Sequence, residues 1–177
     1  GSGTDVAAGG TIAMISGGLT LYAKWVTSYT VAYNLNGGTG ATAPTDGDRY
    51  AADEDVTAAA APTGLSPPAV DKKFAGWNTK ADGSGTDAAA GGTIAMPSED
   101  MTLYAKWVDT YTVTYNLNGG TGATAPTDSD RYASGDSVTA AAAPAGLTAP
   151  ADKRFAGWNT ESDGSGTDAA AGGTITM

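Results

Sequence analysis

The chain has 177 residues and a formal net charge of −10, and it contains neither cysteine nor histidine. The acidic balance argues against nucleic acid, which needs clustered Lys and Arg to neutralise phosphates. The missing Cys and His exclude a disulfide framework, thiolate metal sites and the usual general base, and no apolar run is long enough to cross a bilayer.

The first residue is not methionine and no charged, apolar and small-residue leader follows, so the chain reads as a mature product or as a piece of a longer protein. The first element is Leu19-Thr20-Leu21-Tyr22-Ala23-Lys24-Trp25, whose alternation predicts a strand. Tyr29 to Gly38 predicts a second strand with a polar face. It ends at Asn36-Gly37-Gly38, residues that tolerate positive φ and so predict a turn. Ala58–Ala61, ahead of Pro62, is the first place where a short helix could form, and Ala88–Gly92 is similar. Phe74 to Asn78 predicts a third strand, and Asp82-Gly83-Ser84-Gly85-Thr86-Asp87 a Gly-rich turn. Met101, Leu103, Ala105 and Trp107 alternate with Thr102, Tyr104 and Lys106, giving a fourth strand.

From here the sequence repeats itself. Tyr111 to Gly120 copies Tyr29 to Gly38 with an offset of 82, and Phe155 to Thr160 copies Phe74 to Thr79 with an offset of 81. Leu19–Trp25 and Met101–Trp107 are copies of each other, and Gly1–Asp5 returns at 83 and 164. Val108-Asp109-Thr110 reads as a short linker, as does Val26-Thr27-Ser28. In the last copy Tyr111, Val113, Tyr115 and Leu117 predict a strand. So does Phe155–Asn159, with a bulge near Gly157 because Phe155 and Trp158 would otherwise face opposite ways. Ser137–Thr139 predicts a short strand, and Ala140–Ala143 repeats the helical candidate.

Every aromatic residue belongs to the repeat. Tyr29, Tyr33, Phe74, Trp77, Tyr104 and Trp107 in one copy, and Tyr111, Tyr115, Phe155 and Trp158 in the next, are the predicted core. The predicted fold class is therefore mainly β with one short helix at most (α+β), in tandem domains of about 80 residues with modest cores. Read from Tyr29, residues 1–28 are the end part of a preceding repeat, 29–110 a complete repeat, and 111–177 a repeat lacking its last strand. Read from Ile15, residues 15–96 and 97–177 are the complete units.

Tyr-Thr-Val-Thr-Tyr-Asn-Leu-Asn-Gly-Gly, then Phe-Ala-Gly-Trp-Asn-Thr, then Met-Thr-Leu-Tyr-Ala-Lys-Trp, resemble the Listeria–Bacteroides repeat family, which includes the B repeat of internalin B. The resemblance covers essentially the whole chain. It implies a small β-grasp-like fold, tandem arrays, an extracellular place on a bacterial surface and no catalysis.

Candidate sites are few. Asp82, Asp87, Asp163 and Asp168 offer carboxylates on Gly-rich loops that suit calcium, although the spacing is not that of a helix–loop–helix calcium site. No other cofactor is expected. Lys24 and Lys106 lie on the strand faces opposite Trp25 and Trp107 and read as solvated, and Arg49 and Arg131 read as surface partners of nearby Asp. The expected role is a structural stalk, spacer or fibre shaft built from neighbouring repeats. The alternatives are an adhesin module that gains avidity by repetition and a calcium-stiffened rod. A strand missing at one end and spare at the other suggests a further partner, a second copy of the chain. Leu19, Leu21, Ala23 and Trp25 would then complete a neighbour's last unit and build a fibre.

Overall fold

A computed structural model describes residues 4–7 and 9–177, and every structural statement below concerns those residues. The first full unit is built from eight strands: β1 (Ser28–Tyr29), β2 (Val31–Asn34), β3 (Tyr50–Ala51), β4 (Asp55–Thr57), β5 (Lys72–Asn78), β6 (Asp87–Ala88), β7 (Thr93–Ala95) and β8 (Met101–Tyr111). Its main sheet runs β2-β8-β5-β6. The long last strand β8 is therefore central. It pairs in parallel with β2, Val31 opposite Met101, and antiparallel with β5, Phe74 opposite Trp107. Two small antiparallel ribbons, β1 with β3 and β4 with β7, flank this sheet.

Alternation along β8 decides which side is core. Met101, Leu103 and Ala105 are buried, while Thr102, Tyr104 and Lys106 between them are only half-buried. Trp77 is the centre of the core at 0% exposure, packed with Val31, Val56, Ile94, Met96 and Leu103. Its ring meets Tyr33 edge-on at 4.7 Å and Phe74 at 5.3 Å, and Phe74 meets Trp107 at 5.9 Å. An ideal strand would send Phe74 and Trp77 to opposite faces. The ladder between β5 and β8 shifts register between these two residues, and the bulge brings both rings together. Gly76 makes it feasible. Its φ is 114°, and an added Cβ would lie 2.7 Å from the Ala88 carbonyl oxygen.

The helical expectation is overturned, because the described residues form strands, turns and loops only. Ala58 instead prolongs β4. Its N–H donates to Gly92 O at 2.8 Å and its carbonyl accepts from Gly91 N at 2.9 Å, and Ala140 repeats both bonds with Gly173 and Gly172. A four-alanine run cannot repay helix nucleation by itself, whereas the extended form buries Ala58 and lets Ala59 O accept the Trp77 indole N–H at 2.8 Å.

The last unit contains β9 (Tyr132–Ala133), β10 (Ser137–Thr139), β11 (Trp158–Asn159), β12 (Asp168–Ala169) and β13 (Thr174–Thr176). Its ribbons match those of the first unit, β10 with β13 and β11 with β12. The strand expected over Tyr111–Leu117 does not form as such. Tyr111 ends β8, and beyond it only Thr114 bridges to Thr127. The strand expected over Phe155–Asn159 shrinks to Trp158–Asn159. Both changes have one cause, because the central strand that β8 provides in the first unit has no counterpart here. Leu19–Trp25, expected as a strand, forms none either. It lacks flanking partners, and Leu21 and Trp25 are 64% and 88% exposed.

Candidate functional site

The segment between the repeats is part of a strand, although its sequence reads as a linker. β8 runs unbroken from Met101 to Tyr111, so one ladder serves both units. Its first part pairs with β2 and β5 of the first unit. Its end pairs with β9 of the second, Thr110 opposite Ala133 and Tyr111 opposite Tyr132.

Thr110 is where the two meet, and it is 5% exposed. Its N–H donates to Asp71 O of the first unit at 2.8 Å. Its hydroxyl and carbonyl oxygens accept from Nε and Nη2 of Arg131 of the second unit at 3.0 and 3.1 Å. Lys73 of β5 adds an ion pair across the junction, Nζ to Asp136 Oδ2 at 2.8 Å. Lys73, and then the Ala133 N–H, hold the Asp136 carboxyl below its usual range. The pair is partly solvated and worth about 0–1 kcal/mol. The Arg131 clamp repeats at the other end of the first unit, where Arg49 Nε and Nη2 donate to Ser28 Oγ and O at 3.0 and 2.8 Å. Each arginine therefore grips the strand entering its unit, which corrects the expectation of surface pairing with nearby Asp. The sequence reading missed Thr110. The available signal was the alternation of half-buried and exposed positions, which does not stop at Trp107.

The structure places the predicted core aromatics unevenly. Tyr29, Tyr33, Phe74 and Trp107 pack around the Trp77 core, whereas Tyr104 sits on the opposite face of β8, half-buried. Tyr115, Phe155 and Trp158 are half-buried, and Tyr111 is 52% exposed. The calcium candidates are engaged in the turn itself. Asp82 accepts from the Ser84 N–H and hydroxyl, which lower its pKa, and Asp163 does the same with Ser165. Asp87 pairs with Lys106 and accepts from Asn78 Nδ2 at 2.6 Å, and both partners lower its pKa, Lys106 the more. Asp168 accepts from Asn159 Nδ2 at 2.7 Å. Buried Asn78 ties the loop together, donating to Gly83 O and Gly85 O and accepting from Lys80 N and Gly85 N.

Two tyrosines carry a titratable signature. Tyr50 donates to Asp46 and Tyr132 to Asp128, each at 3.0 Å. Burial first and then Asp46 push Tyr50 up to about 12, and the hydrogen bond to Asp128 first and then burial push Tyr132 up to about 12. Raised folded values favour the neutral phenol. The stabilisation they bring is present below the unfolded value of 10.0 and is lost as pH rises through the folded value. An alkaline absorbance titration is expected to show two phenols ionising late, and Asp46→Asn with Asp128→Asn to bring them back toward the rest.

Residues 29–106 and 111–177 each match the Listeria-Bacteroides repeat domain. The chain is 33% identical over 170 residues to a provisionally named membrane protein of Evansella cellulosilytica, covering 92% of this chain and 23% of that protein. It is 48% identical over 48 residues to a provisionally named Gly-rich membrane protein of the same organism, covering 27% of this chain and 6% of that protein. The chain thus spans less than a quarter of the length of these relatives. No solved structure matches it. The tandem copies, the Trp-centred all-β units and the two matched segments agree: the chain belongs to the Listeria-Bacteroides repeat domain family.

Proposed function

We propose that this chain is a stiff spacer, a stalk or filament-shaft segment of an extracellular bacterial surface protein, with no catalytic role. The observation that carries the reading is β8, one eleven-residue strand belonging to two consecutive repeats. A flexible linker would let units tumble, whereas a shared ladder clamped by Arg131 fixes their relative direction. The family is a structural repeat type. Near-identical copies suit a part that needs only to fold and connect, and a net charge of −10 keeps neighbouring stalks apart.

The adhesin reading has one observation in its favour. An open depression of 470 Å³ lies beside Tyr33, Asp46, Asp48, Tyr50 and Asp55, groups that could stack on and hydrogen-bond to a sugar. The discriminating experiment is a binding screen of the folded chain against glycans and host-surface proteins. The spacer reading expects no saturable binding. Saturable binding lost in Asp46→Ala or Tyr50→Phe would establish the adhesin instead.

Calcium is not needed for stiffness in this reading, because Asp87 is held by Lys106 and Asn78 and the junction by Thr110 and Arg131. The melting temperature is expected to stay constant between chelator and millimolar calcium. A rise with calcium would replace the reading with a calcium-stiffened rod.

A further inference from the structure

In the first unit β8 fills a slot between β2 and β5, and the last unit carries the same slot with no strand in it. The walls stand in the same geometry in both. Tyr33 and Trp77 lie 4.7 Å apart, as do Tyr115 and Trp158. Phe74–Trp77 is 5.3 Å and Phe155–Trp158 is 5.2 Å. Ala59 N donates to Tyr33 OH at 2.9 Å and Trp77 Nε1 to Ala59 O at 2.8 Å, and Ala141, Tyr115 and Trp158 repeat both bonds at the same lengths. The slot is thus shaped before any strand enters it.

What it lacks can be named. In the first unit Trp107 covers Gly38, where an added Cβ would meet the indole at 2.6 Å, and its Nε1 donates to Asn36 O at 3.0 Å. At Gly120 the three nearest atoms belong to Leu147, Leu117 and Thr148, with no indole among them. Asn36 Nδ2 also donates to Ala105 O of β8, a bond with no counterpart at Asn118. A segment carrying the missing groups lies elsewhere in the chain. Leu19-Thr20-Leu21-Tyr22-Ala23-Lys24-Trp25-Val26 repeats residues 101–108 with Leu for Met at the first position. It forms no strand, and Leu21, Tyr22, Trp25 and Val26 are exposed.

We propose that Leu19–Val26 of one copy of this chain seats in the slot of the last unit of a second copy, in the place β8 holds between β2 and β5. By the register of β8, Leu19 lies in parallel opposite Val113, Ala23 opposite Trp158, and Trp25 opposite Phe155 with its indole over Gly120. Lys24, which pairs with Asp5 in the free chain, turns to Asp168 as Lys106 turns to Asp87. Edges left unpaired in a sheet accept such a strand. Donor and slot are different surfaces, so the contact is head-to-tail and does not close on itself. In a longer protein a following copy of the same strand would fill the slot from within. The inference does not depend on the spacer reading, since a sugar-binding repeat could assemble in the same way.

The test is sedimentation velocity of the 177-residue chain over a wide concentration range, with tryptophan emission recorded alongside. Mass is expected to grow without a fixed endpoint while emission shifts to the blue as Trp25 becomes buried. Trp25→Ala and Ala23→Pro change residues that are exposed in the free chain, so both variants fold, and both are expected to remain monomeric. A synthetic Leu19–Val26 peptide is expected to bind the Trp25→Ala chain and to stop growth of the unaltered one. A constant monomer mass would overturn the proposal, even if accompanied by a blue shift, since the chain would then be filling its own slot or none. Growth that persists in both variants would overturn it too.

Discussion

Replacing Trp77 with alanine is expected to remove most of the stability of the first unit, whereas Trp158→Ala in the second is expected to cost far less. The two residues occupy the same place in their repeats and make the same indole bond, Trp77 to Ala59 O and Trp158 to Ala141 O. They differ in what surrounds them. Trp77 is wholly enclosed because β8 lays Leu103 and Ala105 beside it, while Trp158 is half-buried with no strand there. Deleting an enclosed indole leaves a cavity and costs about 3–5 kcal/mol, much of what a small domain has. Deleting a half-solvated one forfeits only part of that. Urea unfolding of the two variants, followed by near-ultraviolet dichroism, checks this. Equal losses would mean that the slot in the second unit is already closed.

Thr110→Pro is expected to uncouple the repeats without unfolding the core of either. Proline cannot donate to Asp71 O, and its fixed φ disturbs an extended strand at the residue whose carbonyl and hydroxyl Arg131 holds. Three hydrogen bonds are put at risk, each worth about 0.5–1.5 kcal/mol net. Limited proteolysis is expected to find a new cleavage point between Trp107 and Tyr111, and thermal unfolding to separate into two steps. Thr110→Val keeps the strand and loses only the hydroxyl contact, so it is expected to stay resistant. Cleavage of Thr110→Val as fast as Thr110→Pro would show that the Arg131 clamp, rather than the strand, carries the coupling.

Much of this was legible from residue order. Fixed-offset copies of Tyr29–Gly38 and Phe74–Thr79 gave the repeats, alternation gave β2 and β8, and the clash of faces between Phe74 and Trp77 gave the bulge. Alternation says nothing about which strand lies in the middle of a sheet. The centrality of β8 therefore had to be seen, and with it the reason Val113–Asn116 forms no ladder. Short alanine runs are ambiguous by composition, and Ala58 and Ala140 were decided by tertiary bonds to Gly92 and Gly173. The junction was hidden for a different cause. Val108-Asp109-Thr110 has the small polar look of a linker, and its partners Asp71 and Arg131 lie far from it in sequence.

The central claim is that consecutive repeats are held in one direction by a shared strand. With no native cysteine in the chain, single cysteines at exposed Thr57 and Thr139 can carry spin labels on either side of the junction. Double electron–electron resonance between them reads the distribution of inter-unit distances directly. The shared strand predicts one narrow peak that broadens in Thr110→Pro. A broad distribution in the unaltered chain would contradict it, and the repeats would then be beads on a flexible string.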